Sequence, residues 1–350
     1  MIGFALEGGG AKGAYQAGAY IALIKHGIKP KIITGTSIGS INAALMAQGD
    51  LNKLINVWLN TKPEILGLNN EIAEHIKQKH FSKNDIKPTF EGIKNVIHNH
   101  GIDTTNLLNA INENINEDKL RKSKIKFGLI TVKLSDKITP KQLLIDDIPK
   151  GKLSEYILAS CYLPVFKMKP IIDDNYYIDG GFYNNVPLSL AEKYGCDTIY
   201  SIRIKGIGFN RNKLKKDTKV IEISPRKSLG SMIIFDKESN ERNMTLGYYD
   251  ALKVIKHLDG YDYYFKGKKE AYYNKMVRNI NNKVLNSLKR KYRAKNNKDL
   301  VIKIVENILK EHKVNEFNIY NIKYCIYKIR KKYTIKDKNI AYFIKNINYF

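Results

Sequence analysis

The chain has 350 residues, enough for one large domain with an appendage or for two modest domains. Hydrophobic residues make up 43% of the chain and charged residues 27%, which excludes wholesale disorder. A net charge of +26 favours anionic partners, either phospholipid surfaces or nucleic acid.

The first fifty residues read as strand, helix, strand, helix. The apolar run Ile2–Leu6 predicts a buried strand ending at a glycine cluster, and apolar spacing predicts a helix over about residues 13–25. Ile32-Ile33 predicts a second brief strand, and residues 40–48 predict a second helix. This order is typical of a parallel sheet covered by helices.

Residues 50–125 contain helical stretches and the only tryptophan, Trp58, but no clear strand pattern. They predict an inserted helical segment that could serve as a lid. Beyond it, strand-like runs alternate with helices, which continues the pattern of a parallel sheet. The predicted strands are 126–132, 176–178, 198–204 and 220–223, and the predicted helices are 153–160 and 188–194.

The C-terminal part is basic and mainly helical. A helix is predicted over 240–258, and a boundary near 265 separates a first domain, 1–265, from a C-terminal extension, 266–350. Amphipathic helices are predicted around 276–288 and 300–309, whereas the final 40 residues have no clean period. The excess of Lys and Arg in this extension is consistent with docking on an anionic membrane, although a solvated helical face is the default interpretation. Biased codon usage would explain the positive charge of the chain equally well. No nucleic-acid motif is legible, which disfavours nucleic acid.

Several features bear on the compartment. Cys161, Cys196 and Cys325 are an odd number without metal-ligand spacing, so we expect neither a disulfide framework nor a metal site. The N-terminus lacks the basic and apolar regions of a secretory signal. The longest uncharged stretch, 32–49, is too rich in Gly, Ser, Thr and Asn for a membrane span. We expect a cytoplasmic protein whose membrane contact, if any, is peripheral.

The first motif with chemical content is Gly35-Thr-Ser37-Ile-Gly39, between a predicted strand and a predicted helix. A serine on such a sharp turn projects its hydroxyl clear of the sheet, and flanking glycines let the backbone turn. Alone, the pattern is also consistent with a glycine-rich helix cap.

The second motif is Gly8-Gly9-Gly10-Ala-Lys12-Gly13, which follows the first strand and opens the first helix. Its unhindered amides could bind an anion, such as the oxyanion that develops during acyl transfer. The glycines also match a dinucleotide fingerprint, but the expected acidic residue about 20 positions further on is missing. A Walker phosphate loop fits less well, since Gly13 stands where lysine belongs.

The third motif is Asp179-Gly180-Gly181, at the end of a predicted strand. A carboxylate there could accept the serine proton directly, although Asp-Gly-Gly is also a common plain turn. The block Ala159-Ser-Cys-Tyr-Leu-Pro164 precedes it, and Asn184-Asn185-Val-Pro187 follows it.

Together these blocks resemble the patatin-like phospholipase family over about residues 1–260. The resemblance implies a three-layer α/β/α sandwich with a mostly parallel sheet and a serine lipid acyl hydrolase that needs no cofactor or metal. It implies Ser37 as nucleophile and Asp179 as base, with the amides of Gly8, Gly9 and Gly10 as the oxyanion hole. It assigns supporting roles to the other motif residues, namely Lys12, Gly13, Gly35, Gly39, Gly180 and Gly181.

Two other interpretations remain open. His257 lies downstream of Ser37 and Asp179, so a histidine-dependent α/β-hydrolase order is formally available, although the early serine leaves little room for that fold. A noncatalytic adaptor that binds membrane or nucleic acid would use the basic extension instead.

Overall fold

A computed structural model of the chain describes residues 1–61 and 101–348. Within them the fold is α/β with a seven-stranded, mostly parallel central sheet, as the sequence predicted. The strands are β1 Ile2–Leu6, β2 Ile32–Thr36, β3 Lys126–Leu134, β4 Thr139–Leu144, β5 Tyr176–Asp179, β6 Thr198–Ile202 and β7 Lys219–Ile223. Their order is β4-β3-β2-β1-β6-β7, and β5 pairs with β3.

Helices accompany these strands in both halves of the chain. Those up to the end of the sheet region are α1 Ala14–Lys25, α2 Ile38–Ala47, α3 Leu51–Asn60, α4 Thr105–Asn114, α5 Glu117–Arg121, α6 Leu153–Ser160 and α7 Leu188–Lys193. Those beyond it are α8 Lys237–Ile255, α9 Glu270–Val277, α10 Asn282–Lys291, α11 Asn297–Glu311, α12 Ile322–Lys332 and α13 Lys338–Asn346. A short pair, β8 Tyr264–Phe265 and β9 Ile319–Tyr320, completes the secondary structure.

Alternating side chains of the central strands pack in opposite directions, which gives three layers. On one face Ala5 and Ile32 form a core cluster with Ala191 of α7. On the other face Phe4, the residue before Ala5 in β1, makes an edge contact with the ring of Tyr20 on α1, with ring centroids 6.2 Å apart. Helices therefore cover both faces of the sheet.

The nine-residue strand β3 fixes how two other strands meet. Its first part pairs with β2 in parallel, up to the pair Thr36 and Ile130. Its last part pairs with β5 in antiparallel fashion, starting from the pair Asp179 and Thr131. Because β4 occupies the other edge of β3 throughout, β2 and β5 lie on the same edge. The carboxyl ends of β2 and β5 therefore face each other.

The structure differs from the predicted elements in a few places. β4 was missed because Thr139–Leu144 contains a proline and little alternation, features that an edge strand tolerates. The single helix predicted around 276–288 is two helices, since the Asn281 side chain accepts a hydrogen bond from the Lys283 amide and caps α10. Helices α12 and α13 occupy the final stretch, for which the sequence gave no period.

The predicted insertion at 50–125 is described only in part. α3, α4 and α5 supply helices at its two ends. Its centre, residues 62–100, lies outside the described residues, and the lid interpretation falls there. Among the residues that are described, no helix combines the length and the apolar character required to cross a bilayer.

The chain forms two compact units, Met1–Tyr248 and Tyr249–Phe350, which divide within α8. The division precedes the predicted boundary at 265 because residues 260–263 are bound to a helix of the second unit. Glu306 on α11 accepts hydrogen bonds from the amides of Tyr261, Asp262 and Tyr263 at 2.7, 2.9 and 2.9 Å. Tyr263 and Phe265 also belong to the apolar core of this unit.

We expect Glu306→Ala to lower the free energy of unfolding of the second unit by about 3 kcal/mol, because three backbone amides lose a buried charged acceptor. Glu306→Gln is the matched control, since it keeps an acceptor oxygen and should cost less than half as much. Urea unfolding followed by circular dichroism measures both. Equal stability of the alanine variant and the native chain would contradict this role.

Candidate functional site

Ser37 lies on the turn that joins β2 to α2. Its backbone has φ 56° and ψ −132°, a region that costs a non-glycine residue about 1 to 3 kcal/mol. Glycines on either side allow the turn, since a Cβ on Gly35 would lie 2.0 Å from the Gly39 carbonyl oxygen. A Cβ on Gly39 would lie 2.5 Å from the Leu6 carbonyl oxygen. The strained turn thus holds Ser37 at the carboxyl edge of the sheet.

Asp179 is the last residue of β5 and is buried, with 3% of its surface exposed. Its amide donates to the Tyr162 carbonyl at 2.8 Å, and its Oδ1 accepts from the Gly181 amide at 2.7 Å. Gly180 allows the chain to pass close to β3, since a Cβ there would lie 2.1 Å from the Ile130 carbonyl oxygen.

Burial raises the pKa of Asp179 to about 6, because the low-dielectric surroundings disfavour the charged carboxylate. The nearby Ser37 hydroxyl and the Gly181 amide oppose this rise. Although the hydroxyl is close enough to act on the pKa, Oδ2 has no well-formed hydrogen bond within the described part of the chain. Oδ2 is therefore the carboxylate oxygen that remains open to a proton.

The glycine loop lies directly against Ser37. A Cβ on Gly8 would lie 3.0 Å from the Ser37 Cβ. The Gly8 amide donates to the Asn185 carbonyl at 3.1 Å, and the Ala11 amide donates to the Met232 carbonyl at 2.8 Å. Among the described residues, the intervening amides of Gly9 and Gly10 have no acceptor. Two adjacent donors are thus open, and Gly8 is an anchor of the loop.

Glu7 fixes the start of this loop by binding the segment that follows β6. Its buried carboxylate is 2.9 Å from the Arg203 guanidinium and accepts from the amides of Ile204 and Lys205 at 2.6 and 2.9 Å. Lys12 donates to the Lys205 carbonyl at 3.1 Å, and desolvation lowers the pKa of its ammonium. Lys12 therefore ties the glycine loop to the segment after β6.

A chain of buried polar side chains supports the two loops from the helix side. Gln16 on α1 donates to the Glu7 carbonyl at 2.7 Å and accepts from Asn42 on α2 at 2.8 Å. Asn42 in turn accepts from the Trp58 indole at 2.9 Å. Gly13 lies against this indole, since a Cβ there would be 2.6 Å from the ring. These contacts explain the glycine at position 13 and fix α1 against α2.

Ser160 is a site residue to which the sequence reasoning assigned no role. Its Oγ accepts from the Ser37 amide at 3.0 Å and donates to the Ile130 carbonyl at 2.7 Å. Ile130 is the residue of β3 that pairs with the end of β2. Ser160 therefore links the strained turn to the strand that aligns it. The signal was its place in the block Ala159–Pro164, which carried the family resemblance without a function.

Asn184 and Asn185 hold the loop after Asp179 in place. The Asn184 carbonyl accepts from the Thr36 hydroxyl at 2.9 Å, and the Asn185 side chain donates to the Gly8 carbonyl at 3.1 Å. The segment therefore connects the loop after Asp179 to the end of β2 and to the glycine loop.

The described histidines have other surroundings. His257 is exposed, follows the C-terminus of α8 with φ 49°, and belongs to the second unit. His26 is bonded to the Ala22 carbonyl, and His312 stacks on Tyr333 with ring centroids 4.0 Å apart. The remaining histidines, His75, His80, His98 and His100, lie outside the described residues. In residues 1–61 and 101–348, no group of three or more His, Cys, Asp or Glu side chains could hold a metal.

Comparison with known proteins gives a family and three solved structures with low sequence identity. A family model described as patatin-like phospholipase matches residues 4–192. VipD from Legionella pneumophila is 14% identical with a TM-score of 0.44, covering 99% of this chain and 84% of that one. The type III effector protein ExoU is 13% identical with a TM-score of 0.38, covering 99% of this chain and 68% of that one. Full-length ExoU in complex with full-length SpcU, from Pseudomonas aeruginosa, is 14% identical with a TM-score of 0.28, covering 99% of this chain and 70% of that one. The family assignment rests on the matched residues alone.

We expect Ser160→Ala to lower the free energy of unfolding by about 1 to 3 kcal/mol, because the Ser37 amide and the Ile130 carbonyl both lose their partner. Ser135→Ala is the matched control, since it makes the same change at an exposed position and should cost less than about 0.5 kcal/mol. Urea unfolding measures the difference. A Ser160→Ala variant as stable as the Ser135→Ala variant would refute the linking role.

Proposed function

Because the chain belongs to the patatin-like phospholipase family, a family of lipid ester hydrolases, we propose that Ser37 and Asp179 form its catalytic dyad. The observation that supports this most directly is the meeting of three loops at one edge of the sheet. The strained turn with Ser37, the open Oδ2 of Asp179 and the open amides of Gly9 and Gly10 come together there. Acyl transfer requires these three elements in one place.

In the first step, the Ser37 oxygen attacks the ester carbonyl carbon while its proton passes to Oδ2 of Asp179. The electron pair of the carbonyl moves onto oxygen, and the amides of Gly9 and Gly10 stabilise this oxyanion. One such donor typically contributes about 2.7 to 4 kcal/mol to lowering the barrier. When the intermediate collapses, the leaving alkoxide takes the proton from Asp179, and the acyl group remains on Ser37.

In the second step, water attacks the acyl-enzyme and gives its proton to Asp179. Collapse of the second oxyanion releases the fatty acid, and the proton returns to Ser37. This cycle balances protons with one carboxylate and needs no histidine, cofactor or metal. The substrate we propose is a glycerophospholipid or related acyl lipid, cleaved in the manner of a phospholipase A or a lysophospholipase.

The second unit would contribute to binding an anionic membrane. On α12 the exposed rings of Tyr324 and Tyr327 stack with centroids 6.4 Å apart, and the Lys328 ammonium lies 4.7 Å from the Tyr324 ring. Tyrosine and lysine together suit a headgroup layer, because the rings tolerate the interface and the cations attract anionic lipid. Nucleic acid is not part of this proposal.

We expect Ser37→Ala and Asp179→Asn each to lower kcat by about a thousandfold or more, since each removes a group on which both steps depend. Mass spectrometry of the products from mixed phospholipids measures the loss and identifies the lipid and the acyl position. His257→Ala should stay within about twofold of native turnover. Loss of turnover in the His257→Ala variant would favour a histidine-dependent esterase. Absence of ester cleavage by the native chain would favour an adaptor.

The rate should also depend on pH through Asp179. Only the ionised carboxylate accepts the serine proton, so kcat/KM should rise with pH and level off above the pKa of about 6. The pH profile of a soluble ester tests this. The inflection should persist in His257→Ala and vanish from the residual rate of Asp179→Asn. A profile that is flat through this range, or that loses its inflection in His257→Ala, would rule against Asp179 as base.

A further inference from the structure

Three exposed apolar side chains of the first unit lie at the edge of the sheet that carries Ser37. Of its described residues, five large hydrophobic side chains are exposed: Met1, Ile138, Tyr176, Ile207 and Val220, at 47, 45, 42, 40 and 40%. Met1 precedes β1 and Val220 is near the start of β7, so both lie toward the amino-terminal ends of parallel strands. The other three lie at the opposite edge, where Ser37 lies. Ile207 follows the end of β6, Ile138 is in the turn after β3, and Tyr176 begins the antiparallel strand β5. Single exposed apolar residues need no explanation, but three at one edge do.

Ile207 is carried by a loop fixed to the catalytic loops. The Phe209 amide donates to the Gly181 carbonyl at 2.9 Å, and the Asn185 amide donates to the Phe209 carbonyl at 2.6 Å. Gly206 packs against the glycine loop, since a Cβ there would lie 1.7 Å from the Gly8 carbonyl oxygen. Ile207 is therefore exposed on a backbone that is fixed at both sides. Gly206 contacts the glycine loop, and Phe209 is bonded to the loop after Asp179.

The same loop is rich in basic residues and contains no acidic residue. Between residues 203 and 216 the sequence has six Lys and Arg and no Asp or Glu. Lys205 and Arg211 are exposed, and the Arg211 guanidinium lies 5.6 Å from the ring centroids of both Tyr183 and Phe209. The guanidinium is thus held beside aromatic rings near the site, where it can meet an anionic group.

Ile138 and Tyr176 lie at the other side of this edge. β3 continues beyond the end of β2, and its last residue, Leu134, pairs with Tyr176 at the start of β5. The turn between β3 and β4 carries the exposed Lys137 next to Ile138. Strands β3 and β6 flank β2 and β1, so the two protruding groups stand on either side of Ser37 and the glycine loop. Three strand spacings separate β3 from β6, about 14 Å.

We propose that this rim, made of Ile138, Tyr176 and Ile207 with Lys137, Lys205 and Arg211, seats the catalytic edge on an anionic phospholipid bilayer. Apolar side chains would enter the interface while the cations meet lipid phosphates, as in other interfacial contacts. Ser37 is half-buried at this edge and Asp179 is buried beside it, so docking by the rim would bring lipid esters to the proposed dyad. The role in feeding substrate rests on the proposed function, whereas the docking itself does not.

The test measures sedimentation with vesicles of phosphatidylcholine containing phosphatidylglycerol, using full-length protein with Ser37→Ala so that the lipid stays intact. The double change Ile138→Ser with Ile207→Ser should weaken binding about tenfold. Val220→Ser is the matched control, an equally exposed apolar residue at the opposite edge, and should bind as the parent does. A second variant, Lys137→Gln with Arg211→Gln, should weaken binding to these vesicles but not to phosphatidylcholine alone.

Several results would overturn the rim. The first is a parent protein that does not sediment with the anionic vesicles. The second is a double variant, Ile138→Ser with Ile207→Ser, that binds as tightly as the parent or as the Val220→Ser control. Loss of binding confined to Tyr324→Ser with Lys328→Gln would assign docking to α12 instead. Hydrolysis separates this test from the proposed function. A native chain that binds vesicles through the rim but cleaves no ester would end the proposed function and leave the rim standing.

Discussion

The site depends on one constraint, the pairing of β3 with two strands along the same edge. β2 ends opposite Ile130, and β5 ends opposite the next residue, Thr131. Two chain segments more than 140 residues apart therefore finish head to head, with a hydroxyl after one and a carboxylate at the other. Ser160 binds the Ile130 carbonyl at this crossing and the Ser37 amide beside it. Neither side chain needs a long reach, because the hydrogen-bond register of the sheet has already aligned the backbones.

The same crossing sets the chemistry of the carboxylate. A position between strand ends is dry, and desolvation raises the pKa of Asp179 to about 6. The folded chain then holds the proton more tightly than the unfolded chain, so this group's contribution to stability falls as pH rises from its ordinary pKa toward 6 and stays lower above it. A carboxylate with a pKa near 6 is a stronger base than an exposed one, so in the role proposed for Asp179 the lost stability accompanies greater basicity.

Local sequence was sufficient for most elements of the fold, and it also located the motifs whose roles are proposed here. Ile2–Leu6 was predicted to the residue because buried apolar runs and glycine stops are local signals. Contacts between distant segments were not predictable in this way. Nothing near Ser160 indicates that its hydroxyl would receive the Ser37 amide, and nothing near Gly8 indicates that its amide would be taken by Asn185. The division of the chain also depended on a distant partner, Glu306, which binds residues just before the predicted boundary at 265.

On the proposed function, the edge of the sheet that carries Ser37 must satisfy two opposed physical demands. Acyl transfer requires a dry carboxylate and amides without competing water, and the proposed base, Asp179, is buried among strand ends. A lipid substrate requires the opposite, a surface that water gives up readily, because an acyl chain leaves a bilayer only where apolar contact replaces it. The fold meets these demands at different parts of one edge. β1 and β2 end at Leu6 and Thr36, whereas β3 continues for four more residues, which pair with β5. The loop after β6 is bonded to the Asp179 loop, since the Phe209 amide donates to the Gly181 carbonyl. Strand ends therefore bury Asp179, whereas the turn after β3 and the loop after β6 leave Ile138 and Ile207 exposed.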